Sequence, residues 1–191
     1  MDKTKELSPE VEMRLDYADK CFQNMQELIR FMDQKAGFVL AAVGILSAAL
    51  GSLTTSIFQQ PPTSATQVTL RIISAGLLVA YLLIAFLVVW VAIRVFTARP
   101  NTLAPETTSP GLIYPLILLK KFKSDETLNL EKLKSMTPNE ILHDYANQIM
   151  EIANIYRVKQ KYVNQSIRLF QGSSILWLVT VLAFLLAMMM P

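Results

Sequence analysis

Residues 33–57 read DQKAGFVLAAVGILSAALGSLTTSI, and they decide the fold. Asp33-Gln34-Lys35-Ala36-Gly37 is charged and helix-forming, and residues 38–57 behind it carry no charge at all. A helix needs about 20 apolar residues to cross the hydrocarbon core of a bilayer. The stretch therefore predicts a helix that passes from water into lipid without a break. Gly37, Ala41, Gly44, Ala48 and Gly51 recur at alternating four- and three-residue spacing, which puts all five on one side of that helix. In hydrocarbon, small side chains let a second backbone approach, and such close packing drives helix association. Followed backward, the stripe passes through Arg30 and Asp33, so a polar half is joined to an intramembrane contact. Static packing of a single bundle explains the same stripe equally well.

The surrounding composition agrees with a membrane protein carrying a water-side part. The chain has 191 residues, 52% of them hydrophobic, with a net charge of +3 and a mean hydropathy of +0.36. Over residues 36–97 the charged side chains are Arg71 and Arg94 alone, and residues 170–191 have none. Spans are predicted at 37–57, 70–96 and 174–190. The first apolar run begins too late for the h-region of a signal peptide, and the leader mixes both charge signs. Six basic residues (Lys3, Lys5, Arg14, Lys20, Arg30 and Lys35) precede the first span, whereas the 58–69 connection carries none and 97–137 is rich in them. The positive-inside rule then predicts residues 1–36 and 97–173 in the cytoplasm, with 58–69 a short extracytoplasmic loop.

Ser8-Pro9-Glu10 predicts a helix start, with Ser8 as N-cap and proline in the first turn. Val11, Leu15, Ala18, Phe22, Met25, Ile29, Met32 and Ala36 then form a four-three packing seam over residues 1–36. Pro100, Pro105, Pro110 and Pro115 break up 97–137. That segment holds an apolar patch at 112–119, followed by Lys120, Lys121 and Lys123. Thr137-Pro138-Asn139-Glu140 is a capping box that opens a helix over 138–173. Its seam reads Leu142, Tyr145, Ile149, Ile152, Tyr156, Lys159, Val163 and Phe170, and the helix is expected to run on into the third span. The predicted fold class is an all-α membrane protein of three transmembrane helices, with long cytoplasmic helical extensions before the first and third.

Catalytic signatures are absent. There is no nucleotide-binding glycine loop, no HExxH and no paired-cysteine metal motif. His143 and Cys21 are the single residues of their kinds, too few for a zinc site or a Cys-His pair. The sequence thus predicts no enzyme, no metal and no nucleic-acid partner. Recognition of a small anion is open. Arg30, Lys35, Arg157, Lys159 and Lys161 offer cations near the membrane, and Tyr156 and Tyr162 offer rings on which a base can stack. Asp33 stands two residues from Lys35, on nearly the opposite helix face. Binding of anionic lipid headgroups is the competing role for each of these cations.

Several of these elements together resemble a known family. Asp33-Gln34-Lys35-Ala36 leads into the first span, two spans precede a proline-broken insert containing Tyr114-Pro115-Leu116, and Gln148-Ile149, Ile155 and Lys161-Tyr162 mark the helix entering the last span. The pattern is similar to the transmembrane effector of the Pycsar anti-phage system over about residues 10–190. The resemblance implies an inner-membrane effector, a homo-oligomer in the lipid bilayer. It would be activated by cyclic UMP or cyclic CMP from a partner pyrimidine cyclase, and would impair the membrane in abortive infection. Its ligand would bind the helical water-side part, with Arg30, Asp33, Lys35, Tyr156, Arg157, Lys161 and Tyr162 as candidates. The alternative is a constitutive membrane anchor or scaffold for a soluble partner.

Overall fold

The computed structural model describes residues 8–59, 61–62, 64–98 and 135–189. Most of the proline-broken stretch expected at 97–137 lies outside them, as do the 112–119 patch, its lysines and Tyr114-Pro115. Among the described residues three long helices carry the fold: α1 (Pro9–Phe58), α2 (Ala65–Thr97) and α3 (Pro138–Met189). Each is long and apolar enough to cross a membrane. No break interrupts α1 at Lys35 or α3 at Gly172.

The helix ends follow local chemistry. Glu10 and Glu12 lie in the first turn of α1, where carboxylates oppose the positive end of the helix dipole. The capping box before α3 is complete. The Thr137 N–H donates to Glu140 Oε2 at 2.7 Å and the Glu140 N–H to Thr137 Oγ1 at 3.4 Å. Those donors stabilise the charged form of Glu140 and hold its pKa below the ordinary value. The second helix starts five residues before the expected span, because Ser64 accepts from the Gln67 N–H at 3.3 Å and caps it. The polarity of 65–69 predicts a loop there; the cap turns those residues into a polar first turn.

Contacts divide the chain into two units, each containing part of α1 and part of α3. The first comprises Met1–Arg30 and Arg99–Arg157. In it the expected seam of α1 faces inward: Val11, Leu15, Ala18, Phe22, Met25 and Ile29 are all half-buried, whereas Glu12, Arg14, Asp16, Lys20 and Glu27 are exposed. The Phe22 and Tyr145 rings meet edge-on, 5.9 Å apart. The buried interior of α3 here is partly polar, with Asp144 and Gln148 beside Ile152; the Gln148 amide donates to the Asp144 carboxylate at 3.5 Å.

The second unit comprises Phe31–Ala98 and Val158–Pro191. Its core joins all three helices: Val39, Val43 and Leu50 from α1, Tyr81, Ala85 and Val88 from α2, and Phe184 from α3. Met32, Ala36, Val39, Val43 and Leu50 are buried, so the four-three seam of α1 continues past Ala36. On α3 the same spacing runs through buried Lys159, Val163, Ser166, Ser173, Thr180, Phe184 and Ala187. Small and hydroxylated residues on this seam suit a lipid setting, where close approach rather than hydrophobic exclusion holds helices together. Ser166, Ser173 and Thr180 satisfy their hydroxyls on carbonyls of their own helix, at 2.7–2.8 Å. Two polar ties cross between helices at one level. Tyr81 Oη and Ser47 Oγ lie 3.1 Å apart, and Trp177 Nε1 donates to the Leu46 carbonyl at 2.8 Å.

Large apolar side chains point outward from this unit, among them Phe38, Ile45, Leu83, Phe86, Ile175 and Leu182. Such a surface suits lipid. The small-residue stripe is also outside the core. Ala41, Gly44, Ala48 and Gly51 are exposed, and beyond their own helical turn no atom comes within 4 Å of where a Cβ would stand on Gly37, Gly44 or Gly51. The bulkier neighbours Val39, Val43 and Leu50, one or two positions away, make the contacts to α2 and α3 instead.

Candidate functional site

The seam of α3 carries a lysine at a core position, and that anomaly locates the site. Lys159 is buried, with its side chain only 8% exposed, and its ammonium reaches Asp33 Oδ1 at 2.5 Å. Asp33 flanks Met32 on the α1 seam, and its carboxylate is 33% exposed. A cation taken from water this far needs a close carboxylate, because desolvation outweighs any weaker compensation. The pair also fixes register. Lys159 meets Asp33 and Trp177 meets Leu46, so within this unit α1 and α3 run in the same direction. A charge on a packing seam is a known way to specify which residues of two helices face each other.

Other cations gather at the same end of the unit. Lys35 is half-buried and its ammonium sits 4.3 Å from the centre of the Phe31 ring, one turn away. Arg94 lies thirteen residues past Tyr81, and position 34 of α1 thirteen before Ser47. The short 59–64 connection makes α1 and α2 antiparallel, so Arg94 stands about level with Asp33 and Lys35. Its guanidinium lies over the Trp90 ring at 5.5 Å. Lys161 is exposed and Tyr162 half-buried. With Asp33 and Lys159 neutralising each other, Lys35, Arg94 and Lys161 leave this end cationic. Ammonium and guanidinium groups of this kind bind phosphate oxygens through charge-assisted hydrogen bonds.

The structure separates the remaining candidates. Arg30, Tyr156 and Arg157 belong to the other unit, where Arg30 and Arg157 are exposed and Tyr156 is half-buried. That unit also holds an apolar groove of about 530 Å³ lined by Met13, Tyr17, Cys21, Leu142, Ala146 and Ile149 among others. Near it the Tyr145 hydroxyl donates to Asp19 Oδ1 at 3.3 Å. Burial first, then the Asp19 carboxylate, raises the Tyr145 pKa, so the phenol stays protonated at neutral pH. Asp33 and Lys35 do point to different neighbours, one to Lys159 and the other to Phe31. Lys159, expected from sequence as a cation free to hold an anion, is instead buried and paired with Asp33, and Arg94, expected at the inner end of the second span, was not among the ligand candidates. The pairing of Lys159 was detectable as a charge on the hydrophobic repeat; the level of Arg94 beside Asp33 and Lys35 comes from the register of the α1 and α2 hairpin. Among the described residues no three His, Cys, Asp or Glu side chains are placed to hold a metal ion.

The family model of the Pycsar effector protein domain, PycTM, matches residues 17–187. Comparison with curated proteins and with solved structures gave no match.

Proposed function

This chain belongs to the Pycsar effector family and is therefore an anti-phage defence effector, and we propose that a cyclic pyrimidine mononucleotide, cyclic UMP or cyclic CMP, activates it to impair the inner membrane. Membership implies a cyclic-nucleotide signal from a cyclase partner. The match over residues 17–187 carries the reading. In it α1, α2 and α3 cross the inner membrane, with the N-terminus and the 97–173 region in the cytoplasm. The protein is a sensor and membrane effector, not an enzyme. Of the candidates, those gathered in the second unit are its ligand-binding residues: Lys35 and Lys161 hold the cyclic phosphodiester and Tyr162 stacks on the pyrimidine, while Asp33 is engaged by Lys159. The cations at the Asp33 end of the second unit, half-buried Lys35 and exposed Lys161, support this assignment, and exposed Arg94 joins them. The Gly37, Ala41, Gly44, Ala48 and Gly51 stripe, open within one chain, packs against a second copy in a homo-oligomer. Ligand binding shifts the balance between two packings, which it can do only by preferring one of them. The infected cell then dies or arrests before phage spread.

Thermal unfolding of the detergent-solubilised full-length protein tests the sensing step. Cyclic UMP or cyclic CMP at a hundredfold excess over Kd should stabilise it by about 2.7 kcal/mol. Cyclic AMP and linear UMP should leave the midpoint unmoved. No response to any cyclic mononucleotide would reduce the protein to a constitutive anchor for a soluble partner.

A further inference from the structure

The register of α1 and α3 places a polar helix face where lipid is expected. Arg168 lies nine residues past Lys159 and nine before Trp177, which touch α1 at Asp33 and Leu46 respectively. It therefore stands beside α1 near residues 39–40, about 7 Å beyond Lys35, with Gln171 about 11 Å beyond. At that depth the outward side chains of α1 are apolar, Phe38 76% and Ile45 70% exposed, and Phe86 and Leu87 project from α2. On α3, by contrast, Lys161, Asn164, Gln165, Arg168, Gln171 and Gly172 are all exposed. At 100° per residue they occupy a single face, and only from Ile175 onward does that face turn apolar, through Leu178 and Leu182. The charge-free stretch of α3 thus begins about 7 Å, a little over one turn, deeper than that of α1.

A guanidinium and several amides cannot face hydrocarbon cheaply, and polar groups at membrane depth normally line a bundle interior or a water-filled cavity. Within the second unit this face is not turned toward the core. We propose that the Lys161, Gln165, Arg168 and Gln171 face of α3 lines an aqueous vestibule enclosed between copies of this chain, open to the side that holds Asp33 and Lys159. The open Gly/Ala stripe of α1 offers the close contact that such copies need. Ile175, Leu178 and Leu182 close the vestibule at its deep end, since an apolar constriction resists wetting. The proposal deepens the membrane-impairing function and rests on its placement of the three helices in a bilayer. It does not depend on nucleotide sensing, so it can fail or stand independently of that step.

Single cysteines at Gln165, Arg168, Gln171, Phe38 and Ile45 in a Cys21→Ser background, in inside-out membrane vesicles without nucleotide, test it. Only a thiol that ionises in water reacts with a charged thiosulfonate, so positions 165, 168 and 171 should be modified at least about tenfold faster than positions 38 and 45. Mild oxidation should also link copies through cysteines on the α3 face. Equal rates at all five positions would overturn the proposal. So would fast labelling in a protein that native mass spectrometry of nanodiscs finds monomeric, since Arg168 would then merely be snorkelling to the headgroups.

Discussion

Asp33→Asn is expected to destabilise the protein far more than Lys159→Met, although both remove the same contact. The side chains differ in burial, 8% exposed for Lys159 against 33% for Asp33. Removing the carboxylate strands an ammonium that water barely reaches, and an unpaired buried charge costs roughly 3 kcal/mol or more. Removing the lysine leaves a carboxylate that still meets solvent, and methionine fills the seam with a side chain of similar length, so the loss should be near 1 kcal/mol. The double variant Asp33→Asn/Lys159→Met should recover most of the stability lost by Asp33→Asn alone. Thermal unfolding of the four proteins in one detergent gives the comparison. Equal losses for the two single variants would mean that the ammonium finds a second partner.

Gly44→Leu is expected to abolish killing while leaving the fold and ligand binding intact. A Cβ at Gly44 meets nothing within 4 Å, so the larger side chain is accommodated within one chain. Between copies it would hold two backbones several ångströms further apart, and the contact that small residues permit would be lost. Expression with the activating signal should then leave growth and membrane potential near those of an empty vector, whereas the parent protein should collapse both. Thermal unfolding without ligand should be unchanged. A Gly44→Leu protein that still depolarises cells would remove the stripe from the mechanism.

Much of this architecture was legible because the pattern is long and uninterrupted. The α1 seam from Val11 to Ala36, the capping box at Thr137 and Glu140, and the charge-free runs each rest on one physical rule, and the structure has the helices where those rules put them. What sequence reading missed turns on a choice between adjacent stripes. The four-three repeat that ends at Ala36 continues to Val39, Val43, Leu46 and Leu50, yet the conspicuous glycines one or two positions away drew attention to Gly37, Gly44 and Gly51. In water the larger residues would be the obvious core; in lipid either stripe can make the contact, and the packing of the three helices decides between them. The start of α2 was misjudged for a related reason: polarity suggested a loop where a serine cap begins a helix.

The candidate site was legible in part. Asp33 and Lys35 announce themselves as the last charges before a span. That Asp33 faces Lys159 depends on the alignment of two helices 126 positions apart, which no local pattern encodes. The stagger of α3 was hidden in the same way. Gln165, Arg168 and Gln171 read as the water-side end of a helix until the contacts at Leu46 and Asp33 fix their depth beside Phe38 and Ile45.

Dye release from liposomes containing the purified full-length protein tests the central claim most directly. The account predicts that vesicles stay sealed alone and leak when cyclic UMP or cyclic CMP is added on the face bearing the N-terminus, with no leak for cyclic AMP. Vesicles that remain sealed while the nucleotide demonstrably binds, or that leak equally without it, would contradict the account.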